Sequence, residues 1–211
     1  MANLKTGTNW IKTKILAVLV CSLLLPGCAD EPGLSRLSAD AVILAFGDSL
    51  THGNGARREE SYPAVLESLS GKRVINAGVS GEVSATGLKR LPSLLSQHQP
   101  QLVLLCHGGN DFLRQLDLGK LEANVTEMIR LARASGAQVV LLGVPRPGLF
   151  LSSADLYSRV ADSTQTVFIE NLVADVLGDN SLKSDTVHPN KQGYRVMAET
   201  IHQQLKLSGA L

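Results

Sequence analysis

Four stretches of this chain, Ala41–Phe46, Arg73–Asn76, Leu102–Cys106 and Gln138–Val144, are near-continuously apolar and partly β-branched. A strand with one wet face alternates apolar and polar residues. A strand without that alternation must be covered on both faces, which is the condition inside a parallel sheet. Thr166–Ile169 is a weaker fifth candidate. Helical patterns fill the gaps. Tyr62–Leu69 follows Ser61, a predicted cap, with Pro63 in its first turn. Val83–Gln97 and Leu121–Ser135 repeat apolar residues three and four apart, the second stopping at Gly136, and Gln192–Leu207 closes the chain. This alternation predicts an α/β fold: a three-layer α/β/α sandwich around a mostly parallel five-stranded sheet, with right-handed crossovers. In such sheets the functional crevice opens beyond the carboxyl ends of the strands.

The N-terminus follows other rules. Lys5, Lys12 and Lys14 precede an apolar run from Ile15 to Leu25, and Pro26-Gly27-Cys28 comes next. A basic start, a short apolar run and a small residue before the cut describe a secretory signal peptide, here residues 1–27. The run falls short of the roughly 20 residues a membrane-spanning helix needs. Leu25-Pro26-Gly27-Cys28 resembles a bacterial lipobox, so Cys28 is expected to be lipidated and to anchor the mature chain in a membrane. The competing reading is an ordinary signal peptide with an incidental cysteine beside it. Residues 28–40, polar and containing Pro32, Gly33 and two serines, are predicted to be a tether, and 41–211 a single domain. The expected location is the bacterial cell envelope, lipid-anchored and facing the periplasm; Ala29 after Cys28 favours the outer membrane.

Composition excludes several function classes. Loss of three lysines with the signal peptide takes the formal charge from +1 to −2, and no basic cluster stands out, so no nucleic-acid partner is expected. Aromatic residues make up only 4% of the chain, which removes the stacking platforms of single-strand binders. Cys21 leaves with the signal peptide and Cys28 takes the lipid. Cys106 is then alone in an apolar strand, where a buried, inert thiol is expected. Cys-x-x-Cys, His-Glu-x-x-His and Gly-x-x-x-x-Gly-Lys-Ser are all missing, so neither a metal nor another cofactor is expected. Gly-x-Ser-x-Gly is missing too.

Four short motifs fall at strand ends. Phe46-Gly47-Asp48-Ser49-Leu50 follows the first strand, and Asn76-Ala77-Gly78-Val79-Ser80-Gly81 ends the second. Gly108-Gly109-Asn110-Asp111 follows the third, and Asp185-Thr186-Val187-His188-Pro189 lies near the C-terminus. A serine hydroxyl attacks only when a base takes its proton. Ser49 is the candidate nucleophile and His188 the candidate base. Asp185, three residues earlier on the same turn, is placed to hold His188 by Nδ1 and leave Nε2 free for Ser49. Developing oxyanion charge needs donors already in place. The N–H groups of Ser49 and Gly78 and the side-chain amide of Asn110 are the candidates. Each residue also has a plainer reading, as cap or turn, and Asp48 is expected to cap the helix that begins at Ser49. Asp111 is assigned to loop structure. His98 and His202 are expected to be solvated. His52 and His107 are placed to line the site, but the sequence offers neither an orienting acid.

On these motifs the chain resembles the SGNH (GDSL) hydrolase family over about residues 41–207. Within it, Arg90-Leu91-Pro92-Ser93-Leu94-Leu95, Gln97-His98-Gln99-Pro100 and His188-Pro189-Asn190 are most similar to the thioesterase I/lysophospholipase L1/arylesterase group. The resemblance implies a flavodoxin-like sandwich. It also implies a serine esterase that hydrolyses carboxylic esters or thioesters, such as lysophospholipids or short and medium acyl esters, through an acyl-enzyme. The roles fall on Ser49 as nucleophile, His188 as base, Asp185 as orienter, and Ser49, Gly78 and Asn110 as oxyanion donors. The expected partner is a small acyl-ester substrate, and a monomer is expected. Phe112 stands where that group often has glycine, in a loop expected to shape the acyl pocket, and Pro145–Thr166 is shorter than the group's pattern. A carbohydrate acetylesterase and a non-catalytic envelope-binding lipoprotein are the rival functions.

Overall fold

The computed structural model describes Met1 and residues 33–148 and 151–211. The predicted signal peptide, Cys28 and the start of the tether lie outside the described residues. Five strands, β1 (Val42–Gly47), β2 (Arg73–Gly78), β3 (Leu102–Cys106), β4 (Gln138–Leu142) and β5 (Val167–Ile169), form one sheet in the order β2-β1-β3-β4-β5. Every neighbouring pair is parallel. The unalternated apolar runs are explained by burial on both faces: Ile43, Leu44, Ala45 and Phe46 of β1 and all of β3 are buried.

Eight α-helices accompany the sheet among the described residues: α1 (Ser49–His52), α2 (Tyr62–Ser70), α3 (Ser84–His98), α4 (Gly109–Leu113), α5 (Leu118–Ala134), α6 (Asp155–Thr164), α7 (Leu172–Gly178) and α8 (Lys191–Leu207). Helices α2, α7 and α8 pack together as one group and α3, α5 and α6 as another, the two outer layers of the sandwich. The four helices expected from periodicity start and stop within three residues of their predicted ends. Helix α7 is short and apolar nearly all round, with Leu172, Val173, Ala174, Val176 and Leu177 all buried, so it carries no helical stripe to read. Ser61 precedes α2 as expected, with Pro63 in the first turn, but its hydroxyl donates to the Arg58 carbonyl at 2.7 Å rather than capping the helix.

Residues 33–40, expected as part of a tether, are instead bound to the domain. Leu34 N–H donates to Ser208 O at 2.8 Å and Leu37 N–H to Ala210 O at 2.9 Å, while the Leu37 side chain is 5% exposed. Gln138 accepts from the Ser35 N–H at 2.5 Å and donates back to the Ser35 carbonyl at 2.9 Å. Two leucines in an otherwise polar stretch are what dock it.

The sheet's carboxyl edge is level where it matters: Gly47 of β1 pairs with Gly78 of β2 and with Cys106 of β3. The chain leaves β1 toward β2 and later returns past it to β3, so the order reverses between β1 and β3 and a crevice opens there. Asp111 helps to hold its walls. This carboxylate, 3% exposed and in the first turn of α4 where a loop was expected, accepts from the Ser84 N–H at 2.8 Å and from the Ser84 hydroxyl at 2.6 Å, and so caps α3 from another helix. Asp111→Ala leaves both buried donors unpaired and should cost roughly 1.5–3 kcal/mol of stability. Urea unfolding measures this, and a midpoint and slope equal to the parent's would refute the capping role.

Candidate active site

β1 ends in a turn that only glycine allows. A Cβ on Gly47 would lie 2.1 Å from the Cys106 carbonyl oxygen and 2.4 Å from the Thr51 hydroxyl oxygen. Asp48 then turns the chain into α1 by accepting the Leu50 N–H at 3.1 Å, the predicted cap. Ser49 is the first residue of that helix. Its Oγ stands at the mouth of the crevice, and its N–H has no acceptor among the described residues. The helix stops one turn later at Gly53, whose φ of 102° is in the left-handed region.

His188 arrives from the far end of the chain. Its Nε2 is 3.0 Å from Ser49 Oγ, and its Nδ1 is 2.8 Å from Asp185 Oδ2. The other carboxylate oxygen, Oδ1, accepts the N–H groups of Val187 and His188, each at 2.8 Å. The Asp-x-x-His spacing thus builds a turn in which one carboxylate binds both the backbone and the ring. With Nδ1–H donating to Asp185, Nε2 presents a lone pair to the serine hydroxyl. Partial burial acts to raise the Asp185 carboxyl. The hydrogen bonds from His188 and from the two backbone N–H groups outweigh it and hold the group below its ordinary value. The Tyr194 hydroxyl donates to Asn54 O at 2.7 Å, tying α8 to the loop after α1.

The two remaining candidates part company. The Asn110 amide nitrogen is 3.1 Å from Glu82 O and 3.4 Å from Asp48 Oδ2. Both neighbours accept, so the nitrogen and not the amide oxygen faces them. Gly78 is a correction. Its N–H donates to Asn76 Oδ1 at 3.0 Å, and the residue does not line the crevice. What Gly78 supplies is room: a Cβ there would lie 2.1 Å from the His52 backbone nitrogen, so α1 packs directly on its Cα. Gly81, three residues on in the same motif, lines the crevice at a φ of 76°, and its N–H has no acceptor among the described residues.

Behind these groups lies a buried charge cluster that sequence reading missed. His107, 0% exposed, does have an acid: its Nε2 is 3.2 Å from Glu82 Oε2. Arg90 donates to the same carboxylate, Nε to Oε1 at 3.0 Å and Nη2 to Oε2 at 2.6 Å. Burial acts against ionisation of Glu82, yet the hydrogen bonds from His107 and Arg90 overcome it and hold the carboxyl at about 2. Asp48 goes the other way, pushed up by burial against the weaker pull of His107 and its backbone donors. Burial also raises the Cys106 thiol well above its ordinary value, as expected for an inert core cysteine. His52 is exposed, 3.4 Å by Nδ1 from Gly78 O, and His98 and His202 are half-buried on helices α3 and α8. No group of three or more His, Cys, Asp or Glu is arranged to hold a metal ion among the described residues.

Over Ser49 and His188 opens a cavity of about 580 Å³, with Leu50, Leu113, Val144, Pro145, Leu151, Leu177 and Val187 as apolar walls and Lys183 as its cation. Phe112, expected near the acyl pocket, faces the core instead. It is 8% exposed and meets Tyr157 edge-on at 6.3 Å, so the next residue, Leu113, 51% exposed, reaches the cavity.

A hydroxyl, an imidazole and a carboxylate in hydrogen-bonded series above the carboxyl edge of a parallel α/β sheet define the class of serine hydrolases. The chain belongs to the GDSL-like lipase/acylhydrolase family, which matches residues 45–196, and it is an ester-hydrolysing member. It is 32% identical over 196 residues to an esterase, TesA, of Pseudomonas aeruginosa, covering 88% of this chain and 98% of that one. It is 34% identical over 178 residues to an arylesterase of Vibrio mimicus, covering 79% of this chain and 89% of the relative. The thioesterase 1/protease 1/lysophospholipase L1 of Escherichia coli K12 is 30% identical over 179 residues, 81% of this chain and 86% of that protein. Among solved structures, the psychrotrophic esterase EstA from Pseudoalteromonas superposes with a TM-score of 0.73 at 27% identity, covering 80% of this chain and 98% of that one.

The depressed Glu82 carboxyl has a consequence for stability. Its contribution is complete above the ordinary glutamate value of 4.5 and is lost as the pH falls toward about 2, because only the unfolded chain then takes up the proton readily. In Glu82→Gln the unfolding free energy should therefore fall less steeply than the parent's between about pH 5 and pH 3. Equal slopes in urea titrations across that window would contradict the clamp on Glu82.

Proposed function

We propose that Ser49 is the nucleophile, His188 the base and Asp185 its orienting carboxylate. The observation that carries this reading is the unbroken series Ser49 Oγ to His188 Nε2 at 3.0 Å and His188 Nδ1 to Asp185 Oδ2 at 2.8 Å. Ser49 Oγ attacks the ester carbonyl carbon as His188 Nε2 takes its proton. Carbonyl oxygen becomes an oxyanion held by the N–H groups of Ser49 and Gly81 and by the Asn110 amide, whose long 3.4 Å contact with Asp48 leaves that hydrogen available. The imidazolium, stabilised by Asp185, gives its proton to the leaving oxygen or sulfur, and the acyl group stays on Ser49. Water, deprotonated by the same nitrogen, attacks the acyl-enzyme, and the acid leaves as the imidazolium returns that proton to Ser49 Oγ. Gly78 keeps only the part of a close-packing glycine in this scheme.

The apolar cavity walls suit an acyl chain, and the names of the arylesterase and lysophospholipase relatives point the same way. We take short-to-medium acyl esters, lysophospholipids among them, as the substrates, with thioesters as a further capability. The chain's aromatic content of only 4% weighs against a sugar-bound acetyl group as substrate. The proposed groups complete one another within one chain, so the site needs no residue from a second copy. The lipobox-like Leu25-Pro26-Gly27-Cys28 supports a lipid-anchored protein of the cell envelope, facing the periplasm.

Ser49→Ala should abolish ester hydrolysis and labelling by a fluorophosphonate while the melting temperature stays near the parent's. An alanine variant that hydrolyses at the parent rate would remove Ser49 from the mechanism. Cys28→Ser should move the protein from the membrane to the soluble fraction. One acyl chain binds a bilayer only marginally, so firm anchoring requires several on Cys28. Detergent-free fractionation decides it, and identical partitioning of variant and parent would refute lipidation.

A further inference from the structure

We infer that Glu82 is a positioning residue of the oxyanion hole: its backbone carbonyl aims the Asn110 amide, and Arg90 and His107 clamp its carboxylate so that the carbonyl cannot drift. The inference rests on the reading of Asn110 as an oxyanion donor given above.

Glu82 does two things at once. Through its main chain it accepts from the Asn110 amide at 3.1 Å and continues directly from Gly81, the other proposed donor on this side of the crevice. Through its side chain it is bound by Arg90 at 3.0 and 2.6 Å and by His107 at 3.2 Å. The clamps are themselves anchored to the three strand ends that carry the site. Arg90 donates from Nη2 to the Ala77 carbonyl of β2 at 3.0 Å and lies 4.5 Å above the Phe46 ring of β1. His107 follows β3 directly, with its ring 5.7 Å from that of Phe46. Gly87 makes the space, since a Cβ there would lie 2.3 Å from His107 Nε2.

His107 is a poor choice for packing alone. Its Nδ1 is buried and has no partner among the described residues, a loss that an apolar side chain in the same place would not incur. The imidazole supplies one thing that such a side chain lacks, a hydrogen bond to Glu82. A carbonyl that merely satisfied Asn110 would need no such clamp. One that must keep the amide within about 0.5 Å of the position from which it donates to a developing oxyanion does.

An oxyanion donor acts in the transition state and not on bound substrate, so loss of its aim should appear in kcat and spare KM. The test is steady-state hydrolysis of p-nitrophenyl butyrate, with melting temperatures on the same samples. It compares the parent, Glu82→Ala, Glu82→Gln, Asn110→Ala and the double variant Glu82→Ala/Asn110→Ala. Glu82→Ala should lower kcat on the order of tenfold or more, with KM within about twofold. Glu82→Gln, which still accepts from Arg90, should recover part of that loss. With Asn110 already alanine no amide is left to aim, and Glu82→Ala should then lower kcat by less than about threefold. If Glu82→Ala fails to fold, His107→Phe, alone and with Asn110→Ala, serves in its place.

Losses that multiply in the double variant, or a lower melting temperature with unchanged kcat, would overturn the inference and leave the oxyanion reading standing. Parent-like kcat in Asn110→Ala would overturn the oxyanion reading itself, and the inference with it.

Discussion

The parallel register at the centre of the sheet is the constraint on which the site depends. β1 is flanked by β2 and β3 in parallel, and all three end level, Gly47 beside Gly78 and Cys106. Each strand therefore hands its chain over at the same height and on the same edge, and three loops of unrelated sequence converge without any of them having to reach. The burial that enforces the register is apolar and continuous, with Ile43 to Phe46 and Leu102 to Cys106 buried on both faces. A one-residue slip in β1 would carry Ser49 about 3.3 Å along the sheet and out of hydrogen-bond reach of His188.

Close packing at that edge leaves little freedom. The Gly47 turn admits no side chain, and the Cα of Gly78 is the floor on which α1 rests. Around this edge three carboxylates are held in two opposite electrostatic states. Asp48 is buried with few compensating donors and is pushed up. Glu82 is buried too, but an arginine and a histidine hold it at about 2. Asp185 is half exposed, and its His188 and backbone donors keep it depressed. The carboxylate that must steady an imidazolium is thus charged, and so is the one that organises Arg90 and His107. The Asp48 side chain has a structural task, capping α1 at Leu50.

Much of this was legible in the linear chain, for a common physical reason: it depends on neighbours in sequence. Strands covered on both faces lose their alternation, and β1, β3 and β4 announce themselves that way, while β2, at the sheet edge, buries only Val74 and Ala77. Asp185 and His188 lie within one turn, so their hydrogen bond follows from spacing. Gly47-Asp48-Ser49 is a strand end, a cap and a helix start in consecutive residues. The sheet type, the layer architecture, the candidate nucleophile, base and orienting acid all follow from such local facts.

What the chain alone left undecided depends on residues that meet only after folding. Asn76, two residues before Gly78, takes the Gly78 N–H, but the motif alone shows neither the close approach of α1 to Gly78 nor that Gly81 faces the crevice. The acid of His107 could not be read from its neighbours, because Asp111, four residues on, is taken by Ser84, and Glu82 comes from the loop before α3. Leu113 and not Phe112 reaches the cavity because Tyr157, on α6, takes the aromatic ring into the core. The sequence by itself determined which chemistry the chain carries and at which strand ends it is displayed. Only the tertiary structure decided which groups share the site, because burial and competition for hydrogen-bond partners are settled between segments and not within them.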